Sequence, residues 1–144
     1  MLKRQRGIDK NFKAWHKLYR RCECEDIEDS RLIAARIPSS NISVNWSKYS
    51  EPWDVIFDHP QFGFTRLFVC HLPKELPKQP PAGSKIHLYV AEHDPKETNY
   101  AHSQIVTYKE GKKVVKNKEI PQTVKKELRT IISDRSLLLL RPKI

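Results

Sequence analysis

Apolar residues near the N-terminus recur with the period of an α-helix. The residues spaced i, i+4, i+7 and i+11 are Ile8, Phe12, Trp15 and Tyr19. This spacing places them along one stripe of a helix, and lysines and arginines occupy the positions between them. The pattern therefore predicts a basic amphipathic helix within residues 1–22.

The middle of the chain alternates instead with the period of a strand. Apolar and polar residues alternate in segments 42–46 and 85–90, and apolar residues dominate 64–72 and 103–108. Segment 112–115 can pair back onto 103–108 across Glu110-Gly111. Two shorter apolar runs, 32–37 and 53–57, are further strand candidates. The prolines of segment 73–83 predict an exposed loop, because proline cannot donate to a strand ladder.

The C-terminal part predicts a second helix and a last strand. Pro121 suits the first turn of a helix, where its missing N–H is not needed. One face of that helix carries Val124, Leu128, Ile131 and Ile132. The leucines 137–140 are short enough for a strand that is buried on both faces, and Pro142 ends it.

These elements together predict an α+β fold. A single, mostly antiparallel sheet of five to seven strands would have one helix from each terminus packed against it. We expect one domain over residues 1–144. Its parts are the helix within 1–22, a strand-rich core over 30–116 with the proline-rich loop 73–83, and a helix plus final strand over 121–144.

The charge is concentrated at the two ends of the chain. Lys and Arg number 27 against 17 Asp and Glu, a net charge of +10. Residues 1–21 hold eight basic residues and one acidic residue, and residues 109–129 hold eight and three. Cations interleaved with aromatic rings are typical of proteins that bind RNA, DNA or another polyanion. The candidate contact residues are Lys13, Trp15, Lys17, Tyr19, Arg20, Arg21, Lys112, Lys113 and Lys116.

Two alternatives to nucleic-acid binding remain open at this point. The basic N-terminal helix could dock on an acidic protein partner. The chain could also be a metal-independent ribonuclease or phosphotransfer enzyme, because His93 and His102 flank one polar loop. One neutral and one protonated imidazole can act as general base and general acid. Further candidate pocket residues are Arg36, Ser43, Asn45, Asn99 and Ser103.

Several function classes have no support in the sequence. It has no Walker loop, dinucleotide-binding glycine pattern, HExxH or GxSxG motif, so we expect no bound cofactor. One residue separates Cys22 from Cys24, which is too few for a zinc knuckle, and we expect no metal. No apolar run approaches the roughly 18 residues of a membrane span, and no apolar signal-peptide core follows the basic start. The expected location is therefore the cytoplasm.

Three short motifs carry a resemblance to known proteins. They are Tyr19-Arg20-Arg21, Ser43-Val44-Asn45 and Asn99-Tyr100-Ala101-His102. The chain resembles a family of small bacterial hypothetical proteins with these landmarks. The resemblance implies a bacterial, cytoplasmic protein, and it brings no activity, substrate or cofactor with it.

Overall fold

The computed structural model describes residues 7–143, which form one α-helix and nine strands. The helix is α1, Gln122–Arg135. The strands are β1 Lys17–Cys22, β2 Ile27–Glu28, β3 Arg31–Leu32, β4 Ile42–Trp46, β5 Gly63–Phe68, β6 His87–His93, β7 His102–Lys109, β8 Lys112–Lys113 and β9 Leu137–Leu140.

Seven of these strands form one sheet. Its order is β6-β7-β4-β1-β5-β9, and β8 pairs with β7, while β2 and β3 pair separately. Every strand pairing in residues 7–143 is antiparallel. The prediction of an α+β fold with a mostly antiparallel sheet of five to seven strands is therefore confirmed.

One face of the sheet packs against α1 and forms the apolar core. Val124, Leu128 and Ile132 of the helix join Leu18 and Ile105 of the sheet in one cluster. Leu128 and Val124 are 0% exposed. Since side chains alternate along a strand, the same strands present their other residues on the opposite face, away from α1.

The predicted N-terminal helix is wrong. Residues 7–16, the N-terminal arm, contain no regular element, and the chain enters β1 at Lys17. Two residues of the predicted stripe, Ile8 and Trp15, are more than 60% exposed, whereas Leu18 outside the stripe is 1% exposed. β1 lies between β4 and β5 and pairs with both. Pairing with these strands stabilises an extended conformation in residues 17–22, and a local helical period cannot reveal such pairing.

Contacts with the sheet hold the arm in place. The ring of Phe12 stacks on Trp46, with the two ring centroids 3.7 Å apart. The backbone N–H of Asp9 donates to Nδ1 of His93 at 2.9 Å, and the Asp9 carboxylate accepts from Lys48 Nζ at 2.6 Å. The arm is therefore an irregular segment fixed by tertiary contacts.

Two shorter strand predictions and the burial of the last strand also need correction. Segment 32–37 contributes only Leu32 to β3 before it forms a 3-10 turn at Ala34–Arg36. Segment 53–57 lies in and just after the 3-10 turn Pro52–Ile56. β9 pairs only with β5 within the described residues, so it is an edge strand, and Leu137 is 49% exposed.

The proline-rich loop is less exposed than predicted. Leu76 is 0% exposed and exchanges two backbone hydrogen bonds with His87 at the start of β6. The loop therefore contributes an anchor to the core. Within residues 7–143, no helix has the length and apolar character needed to cross a bilayer.

Candidate functional site

A row of polar side chains crosses three neighbouring strands on the sheet face away from α1. Tyr19 of β1 lies opposite Asn45 of β4, and Asn45 lies opposite His102 of β7. Directly opposed residues of antiparallel strands share a face, so these three side chains form one line. The strand register thus brings together residues from three distant parts of the sequence.

This row forms the floor of a groove of about 850 Å³, which we call the polar groove. Arg21 and Ser43 lie beside the row. One wall is the chain from Asp54 to Asp58, and the other is the turn 98–102. Of the sequence-predicted residues, the groove brings together Tyr19, Arg20, Arg21, Ser43, Asn45, Asn99 and His102.

A chain of hydrogen bonds ties the two walls together through the floor. Asn99 Nδ2 donates to Asn45 Oδ1 at 2.7 Å, and Asn45 Nδ2 donates to Ser50 Oγ at 3.2 Å. Ser50 Oγ lies 2.8 Å from the carbonyl oxygen of Glu51 and 3.3 Å from the Asp54 carboxylate. Asn45 is 4% exposed, so its amide joins the walls from beneath the groove.

The two arginines of the groove differ in their partners. Arg20 Nη1 donates to the carbonyl of Ser43 at 2.9 Å, just past the point where direct pairing of β1 and β4 ends. Burial holds the pKa of the Arg20 guanidinium below its usual value. Arg21 is exposed and lies 5.5 Å from the centroid of the Phe62 ring. Arg21 is therefore the cation more accessible to a ligand.

The two histidines do not share a cavity. His93 is 5% exposed, accepts from the Asp9 N–H at Nδ1, and lies 2.6 Å from the Tyr100 carbonyl at Nε2. Its Nδ1 thus bonds the arm, and its Nε2 contacts the turn 98–102. His102 lines the polar groove, and its Nδ1 lies 2.8 Å from the carbonyl oxygen of Asp94 and 3.4 Å from that residue's carboxylate.

Two further predicted pocket residues lie elsewhere. Arg36 Nε bonds the Asp26 carboxylate at 3.2 Å, in the turn region beside β2 and β3. Ser103 is 0% exposed and faces the opposite side of the sheet from His102, since the two are neighbours in β7. Alternation along one strand separates Ser103 from the groove.

The basic residues predicted to contact nucleic acid lie along the arm and the β7–β8 hairpin. Lys13 and Trp15 are exposed on the arm, and Lys17 begins β1. Lys112 and Lys113 form β8, where Lys113 Nζ bonds Glu92 at 2.7 Å. The exposed Lys116 follows at the start of the next turn.

The arm connects the polar groove to this hairpin. Tyr49 and Tyr100 both line the polar groove, and their hydroxyls bond the Asp9 carboxylate and the Gly7 carbonyl. A second groove of about 620 Å³ is lined by arm residues including Lys10, and by Gly111 of the hairpin. The arm therefore contacts the polar groove through Asp9 and Gly7, and its Lys10 shares the second groove with the hairpin.

The sequence analysis missed the wall residues Phe57 and Asp58. Phe57 is 84% exposed, and nearby Trp53 is 60% exposed. A signal for this turn was present: Glu51 and Asp54 form a reciprocal capping box around Pro52, and this pattern marks the start of a helical turn.

No metal-binding cluster accompanies the groove. Residues 7–143 contain no group of three or more His, Cys, Asp or Glu side chains arranged to hold a metal ion. Burial raises the pKa of the Cys22 thiol to about 11, while Cys24 Sγ bonds the carbonyl of Lys143.

Comparison with known proteins found no matching family model, curated protein or solved structure.

Proposed function

We propose that this protein binds single-stranded nucleic acid in the polar groove. The observation that carries the proposal is the row Tyr19, Asn45 and His102 beside the exposed Arg21. An arginine can bind a phosphate, and the half-buried amide of Asn99 and imidazole of His102 can bind sugars and base edges, while the buried Asn45 orients Asn99 from below. The groove's volume of about 850 Å³ lies within the usual range for ligand sites.

Exposed aromatic rings near the groove suit unpaired bases. Phe57 belongs to the wall 54–58 and Trp53 directly precedes this wall, and both are largely exposed. Single-stranded nucleic acid characteristically stacks its bases on such rings, which contributes about 1–3 kcal/mol per base. A duplex keeps its bases stacked inside, so these rings favour a single strand.

The N-terminal arm offers the phosphate backbone a path out of the groove. Tyr49 and Tyr100 join the groove to the arm, and Lys10 shares the second groove with Gly111. Lys112 follows directly in β8. Lys10 and Lys112 then supply cations to the phosphates of a strand that leaves the groove along the arm, as binding of a polyanion requires.

The ribonuclease hypothesis has weaker support from the geometry. It requires His93 and His102 at one phosphodiester, but they lie in different grooves, and the nitrogens of His93 contact Asp9 and Tyr100. We therefore propose binding rather than cleavage. Binding to an acidic protein partner is an outcome that the experiment below can distinguish.

Fluorescence anisotropy with a labelled single-stranded oligonucleotide tests the proposal. Affinity should fall steeply with salt concentration, since each neutralised phosphate releases counterions. Arg21→Gln should weaken binding and lower the slope of log K against log salt by about 0.7, the value for one phosphate contact on a single strand.

A matched variant controls for the loss of charge. Arg135→Gln removes one exposed arginine from α1, which packs on the other face of the sheet, and it should leave the salt slope unchanged. If the oligonucleotide showed no binding to the wild-type protein even at low salt, the proposal would be overturned. Binding of an acidic peptide but no oligonucleotide would replace it with the protein-partner hypothesis.

A further inference from the structure

The direction of the hydrogen-bond chain beneath the polar groove is determined by its last acceptors. The Glu51 carbonyl and the Asp54 carboxylate can only accept, so Ser50 Oγ donates its single proton to one of them. Ser50 must then accept from Asn45 Nδ2, which turns Asn45 Oδ1 toward Asn99. The orientation of both amides follows from this end of the chain.

This direction determines what Asn99 offers to a ligand. Its Nδ2 donates to Asn45 Oδ1 at 2.7 Å, so its own Oδ1 is the remaining acceptor of the amide. Among the described residues, 7–143, no other side chain donates to that oxygen. Asn99 lines the groove, where it contributes a hydrogen-bond acceptor with one fixed amide orientation.

His102 adds a second acceptor to the same wall. Its Nδ1 lies 2.8 Å from the carbonyl oxygen of Asp94, which can only accept, so Nδ1 carries the ring proton. In the neutral ring, Nε2 is then an acceptor. Asn99 and His102 stand three positions apart at the two ends of one tight turn, because the His102 N–H donates to the Asn99 carbonyl.

A ligand that satisfies both acceptors has to bring hydrogen-bond donors. The ribose 2′-hydroxyl carries one proton, so it can donate to one of these two acceptors, and deoxyribose lacks the group. We infer that the turn 99–102 recognises the 2′-hydroxyl of a ribose, so that the polar groove selects RNA over DNA. This inference rests on the proposed function, with Arg21 binding the adjoining phosphate.

Three oligonucleotides of one sequence test the inference on the unmodified protein. They are single-stranded RNA, single-stranded DNA and 2′-fluoro RNA, which keeps a ribose-like sugar pucker but cannot donate from the 2′ position. RNA should bind about tenfold more tightly than either of the others, as expected for one well-formed hydrogen bond.

Substitutions then locate the discrimination. Asn99→Ala should reduce the difference between RNA and DNA severalfold. Gln79→Ala, which truncates an exposed amide in the loop before β6, should preserve the difference. Circular dichroism and thermal unfolding would establish that both variants are folded.

Each contrary outcome has a distinct meaning. Equal binding of RNA, DNA and 2′-fluoro RNA would overturn the inference and leave the proposed function standing. If 2′-fluoro RNA bound as tightly as RNA, sugar pucker rather than a donated hydrogen bond would explain the preference, and the inference would fail. If Asn99→Ala kept the full preference for RNA over DNA, Asn99 would not be the residue that recognises the 2′-hydroxyl, and that part of the inference would be overturned. Binding of none of the three would overturn the proposed function as well.

Discussion

The two faces of the central sheet are built from the same strands but carry opposite chemistry. In β1, Leu18 points into the core under α1, and its neighbour Tyr19 points into the polar groove. In β4, Val44 and Asn45 divide in the same way. The comparison teaches that a core side chain and a groove-lining side chain are separated by one residue position, because strand side chains alternate.

The two histidines show the same separation at the ends of two paired strands. His93 closes β6, and its nitrogens contact the arm and Tyr100. His102 opens β7, and only its Nδ1 bonds a protein group among the described residues. The two histidines therefore have different surroundings, because their side chains lie on opposite faces of the sheet.

Removing a core side chain of α1 should have the largest effect on stability. Leu128→Ala leaves a cavity at a position that is 0% exposed, and it should lower the free energy of unfolding by about 2–5 kcal/mol. Phe57→Ala on the groove side is the control, since Phe57 is 84% exposed and should contribute within about 0.5 kcal/mol. Urea unfolding measures both. A similar loss in the two variants would contradict the division between the faces.

A second prediction concerns His87, which lies on the core side at the start of β6. It is 2% exposed, and neither ring nitrogen has a hydrogen-bond partner within the described residues. Burial lowers the pKa of this imidazole, so the unfolded chain takes up the proton first as the pH falls. The stability that the protein has with His87 neutral is therefore present above pH 6.5, and it is lost progressively as the pH falls below that value.

His87→Leu should remove this part of the pH dependence. At pH 7.5 the variant should be as stable as the wild type, or more stable by about 1 kcal/mol, because an apolar side chain leaves no polar atom unsatisfied. Between about pH 7 and pH 5 the wild type should lose more stability than the variant. Parallel stability curves in urea over this range would refute the assignment.

Local sequence patterns predicted most of the sheet but not the arrangement of the groove. Alternation located the strand Ile42–Trp46, and the run of four leucines located Leu137–Leu140, with the bounds that the structure has, because both patterns depend only on neighbouring residues. The alignment of Tyr19 with Asn45 depends on which residues pair across strands, and this register is a long-range property. The sequence could nominate these residues but could not align them.

The helical stripe at the N-terminus illustrates why the remainder could not be predicted. Ile8, Phe12 and Trp15 have helical spacing. The arm is nevertheless held by the stacking of Phe12 on Trp46 and by the hydrogen bonds of Asp9 with His93 and Lys48. Those partners lie more than 30 residues away in the sequence. An amphipathic period is therefore a weak indicator where long-range contacts determine the conformation.

The smallest predicted effect concerns the arm. The Asp9 carboxylate accepts from Lys48 Nζ and from the hydroxyl of the groove residue Tyr49. These hydrogen bonds hold the pKa of Asp9 well below its usual range. A depressed carboxyl pKa stabilises the folded arm above about pH 4, and that stabilisation is lost as the pH falls further.

Asp9→Asn should therefore loosen the arm at neutral pH while the core stays intact. An amide keeps an oxygen acceptor but loses the charge attraction to Lys48, and it can no longer be changed by acid. Amide hydrogen exchange in residues 7–16 should be faster in Asp9→Asn than in the wild type at pH 7, and the difference should narrow as the pH falls below about 4, after correction for intrinsic rates. Exchange in α1 should match in both proteins, because the helix packs on the other face of the sheet. Faster exchange in α1 would mean that the arm and the core unfold together, and the two faces would then not be independent in stability.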